Sequence, residues 1–388
     1  MMRRIATGFA LLLFVAVACF FLFAPKLAED SMNKIVPTTQ KVSARAEALH
    51  NSLFIADLHS DTLMWKRSLL DPATRGHVDL PRLEAGHVGL QVFSSVTKTP
   101  SGQNYDANPS DTDNITALAI GQMQPVRTWT SLLERSLWHA EKLNRAEAAS
   151  KGSLLIVRTK ADLDKLIAQR GNKPVPVGAL LSIEGLQNLE GKRANLDVLF
   201  KAGFRMAGFA HFFDNEVAGS MHGMKKGGLT PLGRQVMADM EARGMVIDIA
   251  HCSHQCVGEI LAAAKRPVVS SHGGVQATCK VNRNLTDAEI RGVAKTGGVI
   301  GIGYWDAAIC STDPRAIAKA MRHVRDLVGI DYVGLGSDFD GATTTPFDTA
   351  GLTHVTQALI DEGFTDADIA KVMGGNVLRV LKAVLPPR

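Results

Sequence analysis

Seven side chains stand where short apolar runs end: His59 and Asp61, Glu184, His211, His251, His272 and Asp338. Imidazoles and carboxylates without cysteine suit zinc, and also manganese, iron or cobalt. His59-Ser60-Asp61 is an HxD pair, and positions i and i+2 of a strand point to the same face, so both side chains can reach one ion. Alone the pair is weak, because short matches arise by chance and a single histidine is more often a surface or satisfied core residue. Five further apolar runs ending in His, Asp or Glu make chance a poor explanation. Three histidines, one aspartate and one glutamate are too many for one four-coordinate zinc with an open position. They suit two ions bridged by a carboxylate, an arrangement that clamps a hydroxide, activates it as nucleophile and polarises a carbonyl.

Other chemistries lack their motifs. There is no G-x-S-x-G elbow, no G-x-G-x-x-G and no Walker-type loop. His50, His77, His87, His139, His222, His254, His323 and His354 fall in predicted helices or loops, where a surface or structural role is the default. His222 is the exception, since HFFDNEVAGSMHGMKKGGLT is long, glycine-rich and could cover a site. His254 follows His251 at i+3, where the helix already leaves the ligand cluster.

The elements that must position these residues repeat one theme. Apolar runs at 53–59, 89–95, 177–184, 204–211, 245–251, 267–272, 299–305 and 332–338 read as eight strands. Helical stretches such as 230–244 and 313–329 lie between them. Strands alternating with helices imply a parallel sheet, and eight of them a (β/α)8 TIM-type barrel. In such a barrel the C-terminal strand ends surround one site, so residues far apart in sequence converge there. The long stretch 98–176 reads as an elaborated crossover with one long helix. Near the C-terminus, Thr365 with Asp368 resembles a capping box, and Gly374-Gly375 divides a helix pair.

The formal charge of +5 on 388 residues, with no dense basic tract, argues against nucleic acid. Residues 5–24 carry no charge, and about 20 such residues cross a bilayer as a helix. Arg3 and Arg4 precede the run, which favours a cytoplasmic N-terminus and a body outside, periplasmic if the source is a Gram-negative bacterium. An uncleaved anchor is preferred over a cleaved signal peptide, because the run is long and ends without a small-x-small site. Ala16-Val17-Ala18-Cys19 resembles a lipidation box only faintly, since apolar residues continue past the cysteine. The expected organisation is an anchor or signal segment at 1–25, a polar linker at 26–45 and the barrel at 46–388. Five scattered cysteines do not suggest a disulfide scaffold, and Cys252 with Cys256 reads as two small buried side chains.

At this point the residues resemble a known family, the membrane dipeptidases (renal dipeptidase, peptidase family M19) of the metal-dependent amidohydrolase superfamily. The matching stretches are DLHSDTL at 57–63, SIEG at 182–185, GFRMAGFAH at 203–211, GMVIDIAHCS at 244–253, PVVSSHGGVQATCKVNRNLTD at 267–287, GLGSDFDG at 334–341 and GGNVLRV at 374–380. They run in the family's order from residue 50 to 385. The resemblance implies two zinc ions per chain, bridged by Glu184 and a water or hydroxide. His59 and Asp61 would hold one ion, and His251 and His272 the other. It implies His211 beside the substrate carbonyl, Asp338 as the proton shuttle, Arg283 as the grip on the substrate carboxylate, and Tyr304 as a substrate contact. Two departures lie near the pocket. Gly185-Leu186-Gln187 follows Glu184 where the family often has Gly-Gly-His, and Phe212-Phe213-Asp214-Asn215 follows His211.

The implied function is zinc-dependent hydrolysis of dipeptides with a free C-terminal carboxylate, tolerating a D-residue at the second position. Family members are often dimers, so a homodimer is expected by analogy. Family members from mammals carry a C-terminal lipid anchor, whereas here the N-terminal helix is expected to provide attachment. Two rivals are a binuclear hydrolase of another small amide, β-lactam or lactone, and a non-catalytic metal-binding barrel protein. The presence of every expected ligand argues against the second.

Overall fold

The computed structural model describes residues 2–171 and 175–387. Eight parallel strands close on themselves: β1 (Ile55–Asp57), β2 (Val88–Val96), β3 (Val177–Glu184), β4 (Phe204–Gly208), β5 (Val246–Asp248), β6 (Val268–Ser270), β7 (Val299–Ile302) and β8 (Val333–Leu335). Neighbours in the chain pair around the ring, from Ile55 with Val88 to Ile302 with Leu335. Leu335 with Asp57 closes it. This is the (β/α)8 barrel, with one strand for each of the eight apolar runs.

The strands alternate between two apolar layers, as side chains on a pleated strand must. Ala56, Leu90, Val92, Leu180, Met206, Val246, Val269 and Val299 fill one cluster. Ile55, Phe93, Leu181, Ile183, Ala207, Ile247, Ile300 and Leu335 belong to the other, which packs on the helices. The last helix, Asn376–Val384, contributes Val377, Val380, Leu381 and Val384 to the first cluster. It sits at the N-terminal strand ends, where Arg379 donates to the carbonyls of Gly297, Gly298 and Asp331. Gly374 precedes it because a Cβ there would lie 2.0 Å from the Phe54 carbonyl oxygen.

Helix ends follow local rules. Pro231–Arg243 begins with Thr230 accepting from the Gly233 amide and Pro231 in the first turn, and stops at Gly244 with φ 73°. Thr365 and Asp368 form the expected capping box. The crossover 98–176 holds helices Asn114–Gly121, Leu132–Ala149 and Lys160–Ala168. It also holds a short strand, Leu154–Ile156, pairing with the start of β3, which the apolar pattern did not single out.

The N-terminal helix spans Met2–Met32 and is about 46 Å long at 1.5 Å per residue. From Arg4 to Met32 its mean hydropathy reaches 2.7, and that apolar window is not buried. Length and composition suit a membrane span or a signal sequence. The stretch 26–45, expected as a linker, lies against the barrel mouth. Glu29 is buried and pairs with Arg67 at 2.6 Å and Arg75 at 2.7 Å. The Asn33 side chain accepts from the Ala342 amide at 2.9 Å, and Lys34–Ile35 pairs in parallel with Thr344–Thr345. These contacts are polar and strand-like, so they leave no apolar period in the sequence.

Candidate metal centre

All seven strand-end residues meet at the C-terminal mouth. Each is buried, with at most 8% of its surface exposed. Glu184, the last residue of β3, is central. Its Oε1 lies 3.0 Å from His251 Nε2, 3.4 Å from His272 Nε2 and 3.4 Å from His211 Nε2. Its Oε2 faces the other way, 3.6 Å from His59 Nε2. His59 Nε2 is also 3.4 Å from Asp61 Oδ1 and 3.8 Å from Asp338 Oδ1. Three groups therefore bring their ligand atoms within 4.8 Å of one another: His59–Glu184–His272, Glu184–His211–His251 and His59–Asp61–Asp338.

The donor chemistry fits divalent cations. His59 Nε2, Asp61 Oδ1 and Glu184 Oε2 are buried with no hydrogen-bond partner, a costly state for polar atoms unless something else satisfies them. His251 Nε2 and His272 Nε2 point at one another across 2.9 Å. Burial, then the Asp61 carboxylate, pushes Glu184 up to about 7 against the pull of His59. Burial, with the Asp61 and Glu184 carboxylates, also drives Asp338 well above the usual carboxylate range, opposed by His59 and Arg283. Three crowded carboxylates of this kind call for positive charge. Burial lowers His251 and His272 well below 6.5, which keeps them neutral, as ligands must be.

A second set of residues, not singled out in the sequence, aims the ligands. Asp248 at the end of β5 accepts from the Ser271 hydroxyl at 2.5 Å and from the amides of Ser271 and Ala250. Because Ser271 donates to Asp248, its oxygen accepts from His272 Nδ1 at 2.8 Å, which leaves His272 Nε2 as the lone-pair nitrogen facing Glu184. Asp57 at the end of β1 accepts from the His59 amide at 3.0 Å and from the Ser337 hydroxyl at 3.0 Å, joining the two strands that carry His59 and Asp338. An acid inside an otherwise apolar strand was the available signal. Asp340 is likewise buried, accepting from the Thr62 hydroxyl at 2.7 Å and pairing with Arg67. The backbone is left-handed at His251 (φ 62°), Asp338 (φ 58°) and Asp340 (φ 65°), strain of the sort that collects at functional sites. Gly341 lies so close that a Cβ would meet Asp338 Oδ1 at 2.2 Å.

A cavity of about 460 Å³ opens over this cluster, lined by Asp61, Glu184, His211, His251 and Asp338 and by Tyr105, Arg283, Trp305 and Asp306. Arg283 Nη2 lies 3.2 Å from His251 Nε2, and its guanidinium stacks on Trp305 at 4.7 Å. Nε and Nη1 of Arg283 are buried and unpaired. A disulfide between Cys279 and Cys310, not expected from cysteine spacing, ties the loop carrying Arg283 to the turn after Trp305.

Tyr304 departs from expectation. It is fully buried against Phe339 and Phe347 and is not among the cavity-lining residues. Tyr304 lies two residues beyond Ile302, the end of β7, and packs in the same apolar cluster as Ile300 and Ile302, while Trp305 lines the cavity. His222 does come beside the site, stacked on Phe212 at 4.6 Å and 5.2 Å from His251. Its Nδ1 is 2.9 Å from the Tyr105 carbonyl oxygen, and burial lowers it to about 4. His254 instead pairs with Glu289 at 2.6 Å.

The profile of the membrane dipeptidases, peptidase family M19, matches residues 43–385. This chain belongs to that family. It is a metallodipeptidase by family, and its curated relatives carry dipeptidase names. Dipeptidase aclJ of Aspergillus oryzae is 26% identical over 94% of this chain and 86% of its own length. An uncharacterized dipeptidase of Schizosaccharomyces pombe is 26% identical over 79% of this chain and 73% of its own. Among solved structures, the probable dipeptidase PvdM from Pseudomonas aeruginosa superposes with a TM-score of 0.74 at 21% identity, covering 88% of this chain and 98% of that one. A metallopeptidase from Rhodobacter sphaeroides, liganded with a phosphinate mimic of L-Ala-D-Ala, gives 0.70 at 22% identity, covering 86% and 99%. At these identities the structural likeness speaks for the fold. The M19 assignment rests on the sequence profile.

Proposed function

We propose that this M19 enzyme hydrolyses dipeptides bearing a free C-terminal carboxylate, at two zinc ions. His59 and Asp61 would hold one, His251 and His272 the other, and Glu184, whose two oxygens face both sets, would be shared between them. When bound, such ions polarise the scissile carbonyl and lower the pKa of water toward neutrality. The chain's own residues supply the rest. Asp338, 3.8 Å from His59, takes a proton from the attacking water and returns it to the leaving amine. His211 is neutral, because burial lowers it to about 3. Its Nδ1 donates to the Lys98 carbonyl oxygen at 3.4 Å and its Nε2 lies 3.4 Å from Glu184 Oε1, which places the ring beside the scissile carbonyl.

The observation that carries the substrate class is Arg283. A buried guanidinium with two unpaired donors, backed by Trp305, is a fixed fork suited to a carboxylate. The ligand of the Rhodobacter structure, a mimic of a dipeptide ending in D-Ala, supports tolerance of a D-residue at the second position. The N-terminal helix anchors the enzyme with the barrel outside the cytoplasm, a reading the Cys279–Cys310 disulfide supports, since such bonds persist in oxidising compartments. The test compares a dipeptide with its C-terminal amide, in the parent and in Arg283→Met. The parent prefers the free acid by 10-fold or more, and the variant loses that preference through KM. An Arg283→Met enzyme that still discriminates acid from amide would refute the carboxylate clamp.

A further inference from the structure

A second cavity, of about 420 Å³, adjoins the metal centre and is built partly by the N-terminal helix. Phe20, Ala24, Pro25, Ala28 and Met32 form one wall. Met64, Trp65, Val96, Ile115 and Leu118 form much of the opposite one. The two cavities share Asp61, Gln103, His211, Phe212, Gly341 and Ala342, so they adjoin at the metal centre. Arg283, Tyr105 and Trp305 line only the polar cavity. With a substrate carboxylate on Arg283, the amino-terminal residue points toward the apolar chamber.

The helix is fixed in this place. Glu29 holds Arg67 and Arg75, and Arg67 also pairs with Asp340 on the loop that carries Asp338. Charges this buried are costly to separate, which keeps the helix end against the mouth. Most of the apolar run 5–24 is exposed, from Phe9 at 68% to Phe23 at 56%. Phe20 and Ala24 lie in the last turns of that run, within about 6 Å of its end at 1.5 Å per residue. The chamber therefore sits at the end of the apolar run, next to the surface that the run exposes.

We infer that the chamber is an apolar subsite for the amino-terminal residue, and that the enzyme's substrates are small amphiphilic peptides with a long alkyl group on that residue. This rests on the dipeptidase reading above. The reaction is the same: the amide C–N bond breaks, and water gives OH to the carbonyl carbon and H to the leaving amine. Filling the chamber removes apolar surface from water and holds the scissile bond beside the ligand cluster.

The test uses the full chain, loaded with zinc in phosphatidylcholine nanodiscs. It compares kcat/KM for L-Ala-L-Ala and for L-2-aminodecanoyl-L-Ala, whose octyl side chain reaches the chamber. The parent favours the octyl substrate at least 10-fold. Ala28→Trp and Leu118→Trp, which fill the chamber from opposite walls, each bring the ratio toward one. Equal rates for the two substrates in the parent overturn the inference and leave the dipeptidase reading standing. A preference that survives in both variants also overturns it. Failure to hydrolyse either peptide removes the dipeptidase reading and the inference with it.

Discussion

At the base of the barrel, Ala56, Leu90, Met206, Val246 and Val299 pack with Val377, Val380 and Leu381 of the last helix in one apolar cluster. At the mouth, the barrel strands end in Glu184, His211, His251, His272 and Asp338, whose polar atoms crowd one another and partly lack partners. The base satisfies every rule of packing, and the mouth breaks several. Its charges are buried, its carboxylates repel, and the backbone is left-handed at His251 and Asp338. Bound cations would relieve that conflict, and the apolar base supplies the stability that tolerates it.

Substitutions at the two ends should separate activity from stability. Glu184→Gln removes the carboxylate whose two oxygens face both halves of the site. Several kcal/mol of charge stabilisation are at stake, so kcat/KM falls by roughly 1,000-fold or more. The metal-stripped variant should melt no lower than the metal-stripped parent, because a carboxyl pushed up to about 7 by burial and Asp61 is a liability without cations. A marked loss of stability would show that the mouth is also structural. At the base, Leu381→Ala should cost about 2–5 kcal/mol in denaturant unfolding while kcat changes little. An equal loss of activity at low denaturant would contradict the division.

Asp248→Asn tests the layer between the two ends. It weakens the Asp248–Ser271–His272 chain that fixes the His272 tautomer, so metal affinity should fall about 10- to 100-fold, read by chelator competition. Unchanged affinity would mean that Ser271 alone sets the ring.

The smallest effect concerns pH. His50 and His139, away from the metal centre, are lowered by burial to about 4 and about 3. Each folded value lies below the ordinary 6.5, so the unfolded chain binds more protons between the two. Their contribution is complete above about pH 6.5 and is lost progressively as pH falls toward 4. The drop in Tm from pH 7 to pH 5 should therefore be smaller in His139→Gln than in the parent. An identical drop would remove His139 from the account.

The contrast between the ends also decides what the sequence could show. Strand runs such as VGALLSIE and MVIDIAH were legible because apolar residues end in a ligand, and the barrel then brings the ends together. Asp57 and Asp248 are visible as acids inside apolar strands, but their role depends on partners distant in sequence, Ser337 and Ser271. Tyr304 is placed at the substrate by the family resemblance alone, and the structure buries it against Phe339 and Phe347 while Trp305 lines the cavity. Residues 26–45 looked like a linker because ion pairs and strand pairing, not an apolar face, hold them. The Cys279–Cys310 bond spans 31 residues and has no local signature.

The most direct test of the central claim is a metal titration. The purified full-length enzyme is stripped of metal, zinc is returned in steps, and hydrolysis of Ala-D-Ala is followed. Activity should rise from zero to a plateau near two zinc ions per chain. Turnover that persists in the stripped protein, or two bound zinc ions without turnover, would contradict it.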